Sequence, residues 1–272
     1  MKNRLKVRLI PCLLLKNGLI VRSEKFKYHQ FIGDPVTQLG RYNQWLADEV
    51  IYLDISRDDV YEVRREDTRI ATQNKRTLPE IIREVSKVSF MPLTFGGGIR
   101  HLEDIQVRLS QGADKVAINT KAVENPEFIT QSAKTFGSQC IVIAIDVKQK
   151  ENGKYEAYTH WGTRATGLDP VAWAKEAENR GAGEIFLNSI DRDGTADGYD
   201  IDLIRQVSDA TRIPVIACGG VGSFQDFVDG IEKGKASAVS AANIFHFTEM
   251  SYKTAKKQMN KAGVNVRMPY DN

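Results

Sequence analysis

The chain has 272 residues, 42% of them apolar and 27% charged, with a net charge of +3. That balance suits a water-facing domain with a full-sized core. It excludes the basic footprint of a nucleic-acid binder, because no Lys/Arg block or aromatic-interleaved basic run occurs. No apolar run approaches the roughly 18 residues of a membrane span.

The N-terminus, MKNRLKVRLIPCLLLKNG, is basic and then apolar, as in a signal peptide, but no small-residue cleavage site follows. It reads as a first strand, Val7–Leu14, running into a Lys-Asn-Gly turn in a cytoplasmic protein. Further short apolar runs at Glu49–Asp54, Pro92–Phe95, Lys115–Asn119, Cys140–Asp146, Glu184–Ser189, Pro214–Cys218 and Ala236–Ser240 read as seven more strands. Between them lie segments of helical period, among them DPVTQLGRYNQWLA, NPEFITQSAKTF, DPVAWAKEAENRG and SFQDFVDGIEKG. Pro directly after Asp or Asn marks a helix start, and Gly112, Gly181 and Gly234 read as helix ends. Eight strands buried on both faces and alternating with helices predict a single parallel (β/α)8 barrel over 1–272.

The three cysteines, Cys12, Cys140 and Cys218, lie in or beside apolar runs without CxxC spacing, and they read as small buried hydrophobes. The four histidines have no ligand spacing, so no metal is expected, and nothing in the sequence asks for a cofactor.

Two stretches repeat. Met91 to Thr120 and Ile213 to Asn243 share the order strand, Gly-Gly, helix, Gly, strand, small polar residue, with Gly96-Gly97 set 123 residues before Gly219-Gly220. This predicts two similar half-barrels. Glycine turns that let backbone N–H groups approach an anion, ahead of a helix N-terminus, are suited to phosphate. One site is expected at Gly219, Gly220 and the Ala242-Asn243 turn, and a second at Gly97, Gly98, Asn119 and Thr120. Asp193, Gly194 and Thr195 would face the same mouth. A phosphorylated small molecule is the ligand class this implies. The same glycines would also serve tight strand–helix turns that bind nothing. A second pairing, of RLIPCLLLKNG with IVIAIDVKQKENG aligned on Lys16 and Lys148, an offset of 132, places Leu14 opposite Asp146.

The segments FGGGI, ADKVAINT, ENPEFITQSAKTFGSQ, AIDVK, RGAGEIFLNSIDRDGTADGYD, IACGGVG and VNVR resemble the cyclase subunit of imidazole glycerol phosphate synthase, over about residues 7 to 267. The resemblance implies a (β/α)8 barrel of histidine biosynthesis that receives ammonia from a glutaminase partner through its core. It also implies a substrate with a phosphate at each end and a pair of aspartates acting as general acid and base. One aspartate matches Asp146; the other matches Leu14, which cannot move a proton. Asn188 and Asn243 also depart from the family's Thr and Ser. Arg8, Glu49, Lys115 and Glu184 match the family's charged gate at the strand starts, and Asp114 matches a residue that contacts the glutaminase. The combination resembles a divergent branch of the family, cyclase-like barrels that begin with IPCLLLK and are encoded among surface-polysaccharide genes. For that branch the implied role is passing ammonia to a sugar amidotransferase that makes acetamidino groups. An authentic cyclase is the alternative. The charged stretch from Ser56 to Arg76 exceeds the family's usual loop by about a dozen residues; it reads as solvated, with partner docking second.

Overall fold

In the computed structural model, which describes residues 5–57, 60–61, 76–246 and 250–268, eight parallel strands close into a barrel. They are β1 (Arg8–Lys16), β2 (Val50–Asp54), β3 (Leu93–Gly96), β4 (Lys115–Ile118), β5 (Ile141–Gln149), β6 (Glu184–Ser189), β7 (Val215–Cys218) and β8 (Ala238–Ala241). Each pairs with the next in the chain, and β8 returns to β1 through Arg8 opposite Ala238. Helices alternate with the strands: α1 (Pro35–Gln44), α2 (Leu78–Val88), α3 (Leu102–Ser110), α4 (Thr120–Glu124), α5 (Glu127–Phe136), α6 (Pro170–Asn179), α7 (Ile201–Ala210), α8 (Phe224–Glu232) and α9 (Ser251–Lys261). This is the (β/α)8 barrel that the alternation predicted.

Strand side chains alternate between two environments, as a period of two requires. Ile10, Cys12, Ile51, Ala117, Val142, Ala144, Phe186, Ile216, Cys218 and Ala238 fill the lumen. Leu9, Leu13, Leu15, Val50, Tyr52, Ile143 and Ile185 pack instead beneath the helices. Both faces are therefore apolar, which is why the strands read as continuous hydrophobic runs.

Asp34 and Asp169 cap α1 and α6, each accepting two backbone N–H groups ahead of a proline at the first helical position. Gly112 and Gly181 leave their helices with φ of 111° and 101°. Gly234 does not: the positive φ falls on Lys235, at 59°. A Cβ on Gly234 would stand 2.7 Å from the Gly230 carbonyl, so close packing against its own helix is what excludes a side chain there.

The half-barrel repeat holds with one correction. Gly97 and Gly219, at φ of 98° and 94°, are the equivalent pair, and so are Gly98 and Gly220. The turn offset is thus 122 rather than 123. The helix caps obey the same offset: His101 with Asp104 and Ser223 with Asp226 form matching capping boxes on α3 and α8.

Two hairpins were not legible as strands. After β1, Asn17 and Gly18 both take positive φ and turn the chain into strands Leu19–Glu24 and Tyr28–Gly33. After β5, a Gly153 turn leads into Tyr155–Thr159 and Arg164–Ala165. Both lie over the carboxyl ends of the strands. The charged loop begins with Ser56, whose hydroxyl accepts the Asn17 N–H. A short antiparallel pair, Val60–Tyr61 with Arg76–Thr77, joins its two ends. Most of the 56–76 stretch lies outside the described residues.

Candidate functional site

At the amino end of the barrel, the first inward position of each of four strands carries a charge. Arg8 lies close against Glu49 and sits 3.0 Å from Glu184. Lys115 stands 3.2 Å from both acids. Each cation thus touches both anions and the four close a ring. Thr94 Oγ1 donates to Glu49 at 2.9 Å. Glu49 and Glu184 hold equivalent positions in the two halves, two residues before Ile51 and Phe186, which pair with Cys12 and Ala144. Burial weighs against the Arg8 charge, but the two carboxylates outweigh it and its pKa stays raised. Asp114 lies beside Lys115, and its carboxylate accepts the Leu93 N–H at 2.8 Å. That bond ties it to the start of β3.

At the carboxyl end, Leu14 and Asp146 face the mouth from opposite sides. Leu14 pairs in register with Leu53, and both, like Ala242, pack against the apolar residues of the lumen. Asp146 belongs to a polar wall. Asn119 Nδ2 donates to its Oδ2 at 2.9 Å and to the Tyr158 carbonyl at 3.2 Å. Asn188, its register partner on β6, donates from the other side. Asp146 keeps some exposure toward the mouth, but the protein packed around it on its other sides disfavours the anion. Burial raises its pKa to about 7, against the two amide donors, with Asp193 adding a little. A carboxyl that titrates near neutrality can give or take a proton, and Leu14 cannot.

The residues read as phosphate-binding converge on this mouth, but most have other duties as well. A Cβ on Gly97 would stand 2.1 Å from the Asp54 carbonyl, and one on Gly220 would stand 2.2 Å from that of Gly198. Both turns therefore need glycine whether or not they bind an anion. The N–H groups just ahead of the helices beyond them are already engaged: Asp104 accepts those of Arg100 and His101, and Asp226 those of Gly222 and Ser223. What faces the mouth is the start of α4 at Thr120, whose hydroxyl accepts the His160 N–H at 3.3 Å, and the Ala242-Asn243 turn.

Asp193, Gly194 and Asn243 meet the first hairpin. Ser23 Oγ donates to Asp193 at 2.7 Å, and Asn243 Nδ2 donates to the Ser23 carbonyl at 2.8 Å. Gly194 lies so close that a Cβ would stand 2.4 Å from the same carbonyl. Thr195 turns back and donates to the Arg192 carbonyl.

Several contributors were missed in the sequence. Thr94 completes the ring, Ser23 closes the hairpin, and Arg108 donates 2.7 Å to the Gly97 carbonyl. Only Arg108 left a sequence signal, as a charged residue on the buried stripe of α3. Among the described residues no cluster of His, Cys, Asp and Glu could hold a metal, and no helix is long and apolar enough to cross a membrane.

A closed parallel barrel with a titratable carboxyl at the carboxyl ends of its strands is the architecture of a (β/α)8 barrel enzyme. The family described as "Histidine biosynthesis protein" matches residues 8–251. The chain belongs to that family.

Proposed function

We propose that this protein is the barrel subunit of a glutamine amidotransferase complex. In this reading it conducts glutaminase-derived ammonia from the charged ring to the mouth. The observation that carries the proposal is a contrast between the two ends of one lumen. The amino end keeps an interlocked quartet of Arg8, Glu49, Lys115 and Glu184. A purely structural barrel would more readily fill that layer with Val, Ile or Leu. The carboxyl end has an apolar residue, Leu14, where a two-aspartate mechanism needs a proton carrier. A subunit that conducts needs the first feature and not the second.

On this reading a glutaminase subunit docks on the amino face beside Asp114. The acceptor waits outside the mouth, a sugar amidotransferase making acetamidino groups for surface polysaccharide, with the 56–76 loop as one docking element. The glycine turns at Gly97-Gly98 and Gly219-Gly220 support a phosphorylated ligand at the mouth.

A second reading has one observation in its favour. Asp146, held near pKa 7 between two amides, is poised for the acid–base step of an authentic imidazole glycerol phosphate synthase cyclase. One experiment separates the two. Supplied with ammonium salts and the bis-phosphate intermediate of histidine biosynthesis, the purified chain should show little or no cyclisation. Turnover near the common enzyme median of about 10 s⁻¹ establishes the cyclase instead.

A further inference from the structure

The two hairpins and the charged loop meet at the rim of the mouth. Phe26, at the turn of the first hairpin, packs against Gly162 of the second. A Cβ on that glycine would stand 3.0 Å from the Phe26 ring. Ser56, where the charged loop begins, accepts the Asn17 N–H beneath the first hairpin. One residue on, Arg57 lies over the Trp161 ring, 5.6 Å from its centre. Three loops thus make one continuous surface.

That surface shows aromatic side chains to water. Trp161 is 46% exposed, and Tyr28, two residues beyond Phe26, is 72% exposed. Trp161 is also held in a strained turn. His160, Trp161 and Gly162 take φ of 51°, 58° and 71° in succession, a region that bulky side chains rarely occupy. Such strain persists only where the surroundings fix it, and it clusters at functional sites. Here Lys148 Nζ donates to the Gly162 carbonyl and Thr163 Oγ1 to that of His160, each at 2.6 Å. The His160 N–H is taken by Thr120 Oγ1. Charge adds a sign to the surface. The segments 19–33 and 149–165 carry six Lys and Arg against three Glu, an excess that equals the net charge of the whole chain.

We propose that this rim is the docking surface of the ammonia-consuming enzyme, anchored by Trp161 and Arg57 and met by an acidic face of that partner. The inference rests on the conduit reading and adds the contact surface to it. Ammonia released into neutral water is protonated and ceases to be a nucleophile. A conduit therefore needs its outlet enclosed by the enzyme that uses its cargo. The hairpins rise from β1 and β5, on opposite sides of the outlet, and meet at Phe26 and Gly162. A partner seated on both encloses it. Trp and Arg are the side chains that most often dominate such contacts, and the basic excess selects an acidic face.

The test uses the intact chain with its glutaminase and the sugar amidotransferase. Isothermal titration of the amidotransferase should give a wild-type affinity that falls as salt rises. Trp161→Ala should weaken it tenfold or more. Arg57→Glu, a change on an exposed side chain that leaves the strained turn alone, should do the same. Both variants should keep wild-type association with the glutaminase and wild-type glutamine hydrolysis, since neither lies at the amino end. Amidotransferase binding unchanged in both variants, or absent in the wild type, overturns the docking surface. So does binding to phosphatidylglycerol vesicles that Trp161→Ala abolishes while amidotransferase binding stays intact, which assigns the rim to an anionic membrane. The conduit is judged separately, from coupling in the ring variants below.

Discussion

Leu14 and Asp146 occupy matched places in the two halves, yet their surroundings differ more than their side chains do. Asp146 is held by donors from Asn119 and Asn188. Leu14 stands beside Leu53, its register partner, against the apolar residues of the lumen. A carboxyl introduced by Leu14→Asp would stand beside the apolar Leu53 and not between two amides, and burying it without a donor costs about 1–3 kcal/mol. Leu14→Asp should therefore lower the melting temperature and recover little cyclisation; full recovery would mean that the missing proton carrier was the sole defect. Asp146→Asn reads the other carboxyl. Its folded pKa, about 7, lies above the unfolded value, so the wild type keeps this contribution at low pH and loses it as pH rises through neutrality. The variant should gain stability relative to wild type as pH rises from about 4 to 7, level off above that, and differ there by a few kcal/mol at most, since Asp146 is not fully enclosed. A stability difference flat across that range, in paired melting curves, contradicts the raised pKa.

At the scale of elements, the first hairpin is held down by a cluster of bonds around Ser23. Ser23 Oγ meets Asp193, its carbonyl receives Asn243, and the N–H groups of Lys25 and Phe26 also donate to Asp193. Burial raises the Asp193 pKa despite these donors. Ser23→Ala removes the shortest of them and should cost about 1–2 kcal/mol, with faster amide exchange confined to 19–33. Exchange unchanged there would place the latch elsewhere. Ser23 read as an ordinary polar residue of a turn region, because nothing local to it announces a partner 170 residues away. The β1 turn was legible for the opposite reason: Asn-Gly favours the positive φ that both residues adopt.

For the whole molecule, the ring at the amino end separates stability from conduction. Glu49 is 1% exposed and bonded to Arg8, Lys115 and Thr94. Glu49→Leu alone leaves two cations facing one acid and should cost about 3 kcal/mol. Replacing all four charges by Leu and Met should be far milder, because no charge is then stranded. In a complex reconstituted with its glutaminase, Lys115→Ala should let glutamine hydrolysis and acceptor amination fall out of step. One-to-one coupling retained in that variant makes the ring structural. Docking is best probed with Asp114→Asn, which removes the charge but keeps an acceptor for the Leu93 N–H; association unchanged would take Asp114 out of the interface.

The sequence by itself determined the barrel. Two-faced apolar strands alternating with capped helices leave few other ways to bury both sheet faces, and the duplicated glycine turns mark the same joint twice. Which charges form a ring at one end of the lumen, and which positions carry or lack the acid–base pair at the other, came from the family resemblance, laid on strands that the apolar pattern had placed. Only the tertiary structure decided what those residues touch. The ring closes because strands far apart in the chain bring Arg8 and Lys115 each within reach of both Glu49 and Glu184. The same is true of the amides around Asp146 and of the hairpin over Asp193. Such contacts depend on the stagger between strands when the barrel closes, which no local pattern encodes.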